Sequence, residues 1–359
     1  MFAQKNLVAA AALLAIAGAA QAQVKVYGTV DIGFGSFETA HAATSSSRTT
    51  QVAGGNMMTS FLGFSGSEDL GGGLKAEFAL ETFLAPDTGK TLNNNADYFW
   101  GRASNVALSG GFGKVALGQY DNPLFTSGYT YNPFGSSMAL SPTMRHFNYL
   151  GQTTKTPDGT ALKQISIEGA GVGFDTGWVN SVTYESPVVQ GFNAVVQFAA
   201  KEATGSANAN SYTVAGSYNN GPISATLTYV KGGKTTAPSA TAYTADEKVA
   251  NLGASYDFGA AKLFAQFTKI SDRTNTDKDT IYQIGVSAPV TEKLVAMASY
   301  GSLKNKDDGA ADSTSDRVLT VGVDYILSKR TDVYAAFMNN QQTNLSSGQT
   351  FAAGIKHNF

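Results

Sequence analysis

The stretch from Val24 to Phe34 reads VKVYGTVDIGF and alternates between two kinds of side chain. In an extended chain, Val26 and Ile32 fall on one face, whereas Lys25 and Asp31 fall on the other. A period of two residues predicts a β-strand with one apolar and one polar face. The same alternation recurs at residues 74–81, 192–198, 223–229, 319–325 and 351–359.

The connections between these stretches alternate in length. Short ones rich in Gly and Asn, such as residues 69–73 and 219–222, take turns with long polar ones, such as residues 38–56 and 232–246. Short turns at one end and long loops at the other are typical of an outer-membrane β-barrel. Such a sheet has to close, because lipid leaves the backbone groups of an open edge without partners.

We therefore predict an all-β fold, a sixteen-stranded antiparallel transmembrane β-barrel, and the even number agrees with bacterial barrels. A soluble secreted β-sandwich or propeller would also alternate, but the polar faces here carry Lys, Asp and Glu along most of the chain. The predicted strands begin near Val24, Met57, Leu74, Asp97, Phe112, Gly177, Gly191, Ser211, Pro222, Glu247, Ala261, Thr280, Lys293, Asp316, Thr331 and Ser347.

The interval from Asp121 to Thr176 is the longest without a clean strand pattern. It holds Pro123, Pro133, Pro142 and Pro157, four of the nine prolines in the chain. An irregular interval this long inside a compact domain usually has a function. We predict that it folds into the lumen of the barrel and constricts the pore.

Residues 1–22 have the pattern of a secretory signal peptide. Lys5 precedes a short apolar run, and Ala20-Gln21-Ala22 matches the A-x-A cleavage pattern. The run is shorter than the ~20 residues that a membrane-spanning helix needs. We expect cleavage after Ala22 and a single barrel over residues 23–359.

The composition excludes several classes of protein. Charged residues make up only 14% of the chain, against about 25% in a typical globular domain. The absence of cysteine excludes disulfides and thiolate metal sites. A formal net charge of −2 gives no electrostatic footprint for nucleic acid. We expect no nucleic-acid partner and no cofactor.

Six segments, taken together and in order, resemble the general porins of Gram-negative outer membranes, in particular the trimeric sixteen-stranded neisserial and burkholderial type. The resemblance implies a homotrimer with a third loop folded into each pore and passive diffusion of small hydrophilic solutes and ions. It also implies that Phe359 serves as a signal for insertion into the outer membrane. There we expect contact with outer-membrane lipid and lipopolysaccharide. The segments are residues 26–31, 66–76, 113–118, 180–187, 325–331 and 354–359.

The chain departs from this family at positions that bear on ion selectivity. Relatives usually carry Arg second in a Ser-Arg-x-Gly-Phe segment, where this chain has Phe61. Arg102 matches the fourth-strand Arg of the family. The basic ladder that favours anions is therefore thinned, and we predict weak selectivity, less anionic than in relatives with the full ladder.

A pore selects solutes by its size and by the charges on its wall. Opposed rows of basic and acidic side chains would create a transverse field across the lumen. The predicted pore-lining residues are Lys25, Asp31, Lys75, Glu77, Glu81, Arg102 and Lys114 on polar strand faces, and Asp121 and Arg145 in the long interval.

Other functions have weaker support in the sequence. A hydrolase needs a base held by an orienting group, and no local motif around His41, His146 or His357 supplies one, so we do not expect an enzyme. The alternative function is a substrate-specific channel or an adhesin-type barrel. A sugar channel would use a row of aromatic side chains, for which the candidates are Tyr98, Trp100, Tyr120, Tyr129 and Tyr131.

Overall fold

The computed structural model describes residues 24–41, 48–91, 99–149, 178–200, 210–232, 248–271, 278–306 and 314–359. The predicted signal peptide, Tyr98 and the second half of the long interval lie outside these described residues. In the described part of the chain, no helix is long and apolar enough to cross a membrane.

The described chain is dominated by strands that follow one another in antiparallel order. Two short helices, α1 (Pro123–Thr130) and α2 (Pro142–Tyr149), lie between β7 and β8. The strands are β1 (Lys25–Phe37), β2 (Thr49–Gly54), β3 (Phe61–Gly71), β4 (Leu74–Ala85), β5 (Lys90–Thr91), β6 (Ala103–Gly110), β7 (Gly113–Tyr120), β8 (Trp178–Glu185), β9 (Phe192–Ala199), β10 (Ser211–Asn220), β11 (Ile223–Lys231), β12 (Lys248–Asp257), β13 (Lys262–Ser271), β14 (Lys278–Pro289), β15 (Leu294–Lys306), β16 (Thr314–Ile326), β17 (Thr331–Gln342) and β18 (Gly348–Asn358).

The sheet closes on itself because β1 pairs with β18, from Thr29 opposite Asn358 to Ser36 opposite Phe351. The segments β2 and β3 both pair with β1 and form two halves of one barrel strand. The two-residue β5 pairs with the end of β4, on the edge that β6 also uses. The eighteen described segments thus occupy sixteen positions, which confirms the predicted sixteen-stranded barrel.

Alternation along the strands directs apolar side chains to the outside of the barrel. On β1, Val26 and Phe34 are 57% and 60% exposed, whereas Asp31 between them is completely buried. The chain ends in the seam of the barrel, because the backbone N–H of Phe359 donates to the carbonyl of Gly28 at 3.1 Å.

The structure corrects one predicted strand start. The second barrel strand begins at Thr49 and not near Met57. Its first half, TTQVAG, is polar on both faces, so it carries no period of two. The fourth regular strand is described from Ala103 onward, and its predicted start near Asp97 lies outside the described residues. The Trp100 ring just before it packs edge-on against Phe64, with ring centroids 6.0 Å apart.

The second barrel strand is interrupted between Gly54 and Phe61, and Asp31 holds this break in place. One carboxylate oxygen of Asp31 accepts hydrogen bonds from the backbone N–H groups of Met57 at 2.6 Å and Met58 at 2.7 Å. The other accepts from the Tyr334 hydroxyl at 2.6 Å. Because buried polar groups need partners, these bonds fix the path of the broken strand.

Replacing Asp31 with alanine is expected to lower the free energy of unfolding by about 3 kcal/mol, because two buried donors and one half-buried donor lose their acceptor. Tyr334→Phe removes one of the three bonds and is expected to cost about 1–2 kcal/mol. Urea unfolding in detergent micelles, followed by gel mobility, measures both values. Asp69→Ala is the matched control, since Asp69 accepts one exposed bond, from the backbone N–H of Gly71 at the end of β3. Equal losses for Asp31→Ala and Asp69→Ala would contradict this account.

Candidate functional site

The chain turns into the lumen directly after β7. Asn122 caps α1, because its side-chain oxygen accepts from the backbone N–H of Leu124 at 2.9 Å. Pro123 stands in the first turn, where its missing N–H has no consequence. The side-chain N–H groups of Asn122 donate to Gln197 on β9 at 2.8 Å and to Thr213 on β10 at 2.7 Å. The beginning of the helix is therefore fixed to the barrel wall.

The described part of the loop, Asp121–Tyr149, continues along the inner face of β11–β16. The Tyr131 hydroxyl lies 3.0 Å from Ser224 and 2.8 Å from Thr226 on β11. Near the other end of the loop, the Thr320 hydroxyl on β16 donates to the Leu140 carbonyl at 2.7 Å. Apolar contacts add to these bonds: Leu124 packs in one buried cluster with wall residues, and Phe134 packs in another.

Glycines on four wall strands allow the loop to approach closely. A Cβ atom at Gly253 would lie 2.2 Å from the Tyr131 ring. At Gly285 it would lie 2.5 Å from Pro133, and at Gly301 2.6 Å from Pro142. A glycine inside a strand often marks such a close approach. The wall is thus shaped to seat the loop against β12, β14 and β15, and the fourth glycine, Gly322 on β16, faces Phe134.

The opposite side of the lumen stays open as a cavity of about 790 Å³ between the loop and the wall that runs from β1 to β11. Seven of the nine predicted pore charges line it, namely Lys25, Lys75, Glu77, Glu81, Arg102, Lys114 and Asp121. Which of them lies at the narrowest point stays a prediction.

Two predicted residues do not line this cavity. Asp31 points inward, as the alternation predicted, but the break in the second barrel strand covers it completely. Arg145 is only 8% exposed and donates to the Ala139 carbonyl at 3.2 Å, within the loop itself. Neither placement could be read from sequence, because both depend on segments that are irregular.

Glu185 is a cavity residue that the sequence analysis missed. It accepts a hydrogen bond from the Tyr120 hydroxyl at 2.9 Å, and both residues line the cavity. The signal was present, since Ser181, Thr183 and Glu185 occupy alternate positions of β8. Extending the polar face of that strand by one step would have found it.

Arg102 contacts a carboxylate and an aromatic ring. Its guanidinium forms an ion pair with Glu81, and it also lies over the Phe61 ring, 4.1 Å from the centroid. The Tyr27 hydroxyl donates to the same Glu81 carboxylate. Stacking on an aromatic face favours a cation. Glu81 therefore neutralises the charge of Arg102 locally. Phe61, at the position where relatives usually carry an arginine, contributes its aromatic ring to the same guanidinium.

The charges that line the cavity balance in number. Lys114 pairs with Glu77 at 2.6 Å, as Arg102 does with Glu81. The other four are Lys25 on β1, Lys75 on β4, Asp121 after β7 and Glu185 on β8. Four basic and four acidic side chains thus face the same open space. Two cations and two carboxylates among them form the ion pairs just named, and among the described residues the other four form no direct ion pair with each other.

Asp121 carries a pH-sensitive part of this charge. Burial raises the pKa of the Asp121 carboxyl above its usual range, the Arg102 guanidinium opposes this effect, and the Glu185 carboxylate adds to it. A carboxyl with a raised pKa becomes neutral at a higher pH than an ordinary aspartate, which titrates near 3.9.

Lowering the pH from neutral towards about 3.9 is therefore expected to make the channel more anion-selective, because Asp121 loses its negative charge at a higher pH than an ordinary aspartate does. An ion passing ~6 Å from this charge in water changes in energy by about 0.7 kcal/mol, which is roughly threefold in permeability. Reversal potentials across a salt gradient measure the change. At neutral pH, the Asp121→Asn channel is expected to show the anion selectivity that the wild-type channel shows only at low pH. An Asp121→Asn profile that coincides with the wild type would point to Glu77, Glu81 or Glu185 instead.

Comparison with known proteins identifies the family of this chain. Residues 9–345 match the family model described as Gram-negative porin. The chain belongs to this family. Outer membrane porin protein 32 of Delftia acidovorans is 34% identical over 370 residues, which cover 98% of this chain and 95% of that protein. Major outer membrane protein P.IB of Neisseria lactamica is 28% identical, over 99% of this chain and all of that protein.

A solved structure agrees with the assignment. The anion-selective porin from Comamonas acidovorans superposes with a TM-score of 0.76 at 27% identity, covering 94% of this chain and all of that one. The protein is a porin of the Gram-negative outer membrane, a channel for passive diffusion and not an enzyme. Its open cavity lies inside the barrel, and its loop on β11–β16 narrows the lumen.

Proposed function

We propose that this porin is a general, weakly charge-selective channel for small hydrophilic solutes and ions. The observation that carries this proposal is the balance of four basic and four acidic side chains around the open cavity. Arg102 adds little net field, because Glu81 neutralises it at contact distance. Lys25 and Lys75 face the cavity together with Asp121 and Glu185. The cavity wall therefore has no net charge from these four residues, and their opposite signs create a field across the lumen. The neighbour from Comamonas acidovorans is described as anion-selective, and Phe61 is a departure that supports weaker selectivity here.

Single-channel recording in a planar bilayer with a salt gradient tests this proposal. We expect large ohmic conductance steps and a small reversal potential, because the two signs of charge nearly cancel along the passage. A reversal potential close to that of a purely anion-permeable channel would overturn the weak selectivity. A folded barrel without conductance would overturn the open channel.

A substrate-specific channel is the second candidate. Tyr120, Tyr129 and Tyr131 line the cavity and could stack against a sugar, whereas Trp100 packs against Phe64 instead. Flux that saturates for one sugar in liposomes would favour this function. Flux that falls smoothly with solute size would favour the general channel.

The proposal also covers the assembly and export of this porin. The resemblance to trimeric porins supports a homotrimer embedded in outer-membrane lipid and lipopolysaccharide. Conductance steps that occur in threes would support it. The resemblance also supports cleavage after Ala22 and an insertion signal at Phe359, whose backbone already takes part in closing the seam. Mass spectrometry of the exported chain tests the first, and the insertion efficiency of Phe359→Ala tests the second.

A further inference from the structure

The methionines of this porin are concentrated where the loop meets the wall. The chain has seven methionines, and all of them except Met1 follow the predicted signal peptide. Two lie in the break of the second barrel strand, two lie in the loop, and two are buried residues of β15 and β17. In chain order they are Met57, Met58, Met138, Met144, Met297 and Met338.

Three of these methionines pack against the middle of the loop. Phe134 and Leu140 from the loop form one buried cluster with Met57, Met297 and Met338 from the barrel. We call this contact the methionine seat. Methionine is flexible and polarizable, so it fills irregular gaps such as those between a loop and a sheet. The middle of the loop therefore rests on thioether groups.

The two ends of the described loop are held by a different kind of contact. Leu124 of α1 and Phe147 of α2 belong to a second buried cluster, with wall residues such as Val230 and Val249. Among the described residues, this second cluster contains no methionine. The hydrogen bonds of Asn122 to the wall also hold the beginning of the loop. A reaction at thioether groups would therefore affect the middle of the loop and spare its ends.

The sulfur-bearing side chains differ in their access to solvent. Met58 and Met138 are partly exposed. Met57 and Met297, which belong to the methionine seat, are each 8% exposed, whereas Met338 is only 1% exposed. A small neutral molecule in the lumen therefore reaches the first pair most easily and the second pair next. Met338 becomes accessible only after the seat has opened.

Oxidation is the reaction that this arrangement favours. The chain has no cysteine, so thiols do not compete with the thioethers for an oxidant. Hydrogen peroxide or hypochlorous acid transfers one oxygen atom to the sulfur, which loses two electrons. The S–O bond forms while the O–O or O–Cl bond breaks, and water, or chloride and a proton, leaves. The product, methionine sulfoxide, is polar and disrupts apolar contacts.

We propose that Met57 and Met297 are modification sites at which peroxides or hypochlorous acid release the middle of the constriction loop. A sulfoxide oxygen in the methionine seat is a buried polar group in apolar surroundings, which is unfavourable unless it finds a hydrogen-bond donor. The segment from Phe134 to Leu140 therefore leaves the wall, while both ends of the loop stay attached, and the channel changes its width. Methionine sulfoxide reductases restore the thioether, so the change is reversible.

Treatment of the full-length porin, purified from outer membranes, with hydrogen peroxide tests this proposal. The test variant is Met57→Leu with Met297→Leu, which keeps the apolar volume and cannot form a sulfoxide. The matched control is Met58→Leu with Met138→Leu, which removes two sulfurs from the more exposed positions. Peptide mass spectrometry locates each sulfoxide. Single-channel recording and liposome swelling measure the channel before and after oxidation.

We expect oxidation at Met57 and Met297 to increase the time that a wild-type channel spends with a displaced loop by roughly 5- to 150-fold. Conductance steps and the size limit should change together with the appearance of the two sulfoxides. The control variant should respond like the wild type, and the test variant should keep its unoxidised conductance. Treatment of the oxidised wild type with methionine sulfoxide reductases should restore the original conductance, which checks the proposal without any substitution.

Three results would overturn the proposal. They are an equal response of the wild type and the test variant, no sulfoxide at Met57 and Met297 once Met58 is fully oxidised, and unchanged conductance with both sulfoxides present. The proposal rests on the proposed open channel, which the unoxidised wild type tests separately. An unoxidised barrel that does not conduct would overturn that channel, whereas the three results above concern the methionines.

Discussion

Gly253→Val is expected to displace the loop from the wall and to increase the conductance and the size limit of the channel. A Cβ atom at this position would lie 2.2 Å from the Tyr131 ring and 2.8 Å from the Ser127 hydroxyl. All three of the nearest atoms belong to the loop, so the clash is expected to push the loop away from β12. Overpacking of this kind costs about 1–3 kcal/mol, which raises the population of channels with a displaced loop by roughly 5- to 150-fold.

Single-channel recording and liposome swelling with sugars of increasing size measure the effect. Gly216→Val is the matched control, because Gly216 faces outward on β10 and a Cβ atom there would meet nothing within 4 Å. The control should keep the conductance of the wild type. Unchanged conductance and size limit for Gly253→Val in a folded barrel would mean that the loop does not set the width of the pore.

Phe61→Arg is expected to turn the channel towards anions. The substitution removes the ring that lies 4.1 Å below the Arg102 guanidinium and adds a second cation beside the single carboxylate of Glu81. An ion at ~6 Å from one added charge in water changes in energy by about 0.7 kcal/mol, favourably for an anion and unfavourably for a cation. The ratio of anion to cation permeability should therefore rise about tenfold.

Phe61→Leu separates the charge from the stacking. It removes the aromatic face without adding a cation, so its reversal potential should stay near that of the wild type. Glu81→Gln provides an independent check, since it also raises the charge of the lumen by one while Phe61 remains. If Phe61→Leu shifted the reversal potential as far as Phe61→Arg, the orientation of Arg102 and not the number of charges would control selectivity.

The regular part of this fold could be predicted from sequence because each barrel strand is amphipathic on its own. In Val24–Phe34, the lipid side and the water side impose opposite preferences on neighbouring residues, and the period of two follows directly. Most of the predicted cavity charges come from such strands. Glu77 and Lys114 are examples, and they meet in an ion pair that needs only correct strand order.

The irregular parts could not be predicted in the same way. The cover over Asp31 arises because the second barrel strand breaks, and TTQVAG has too little contrast between its faces to reveal the strand before the break. Arg145 points back into its own loop, a placement that depends on how α2 packs against β14–β16. The glycines of the wall strands are visible in the sequence. Their role, which is to leave room for the loop, depends on a segment that is distant in the chain.

The clamp around Asp31 has a consequence for the order of assembly. It joins the first barrel strand to Tyr334, which is 303 residues away. The segment that it fixes also receives the loop, since Ser137 donates to the Asn56 carbonyl and Met57 packs with Phe134 and Leu140. Contacts this distant in sequence form late in folding. The part of the loop around Ser137 therefore reaches its final position only after β1 and β17 have come together, whereas its contacts with β11–β16 do not depend on closure of the barrel.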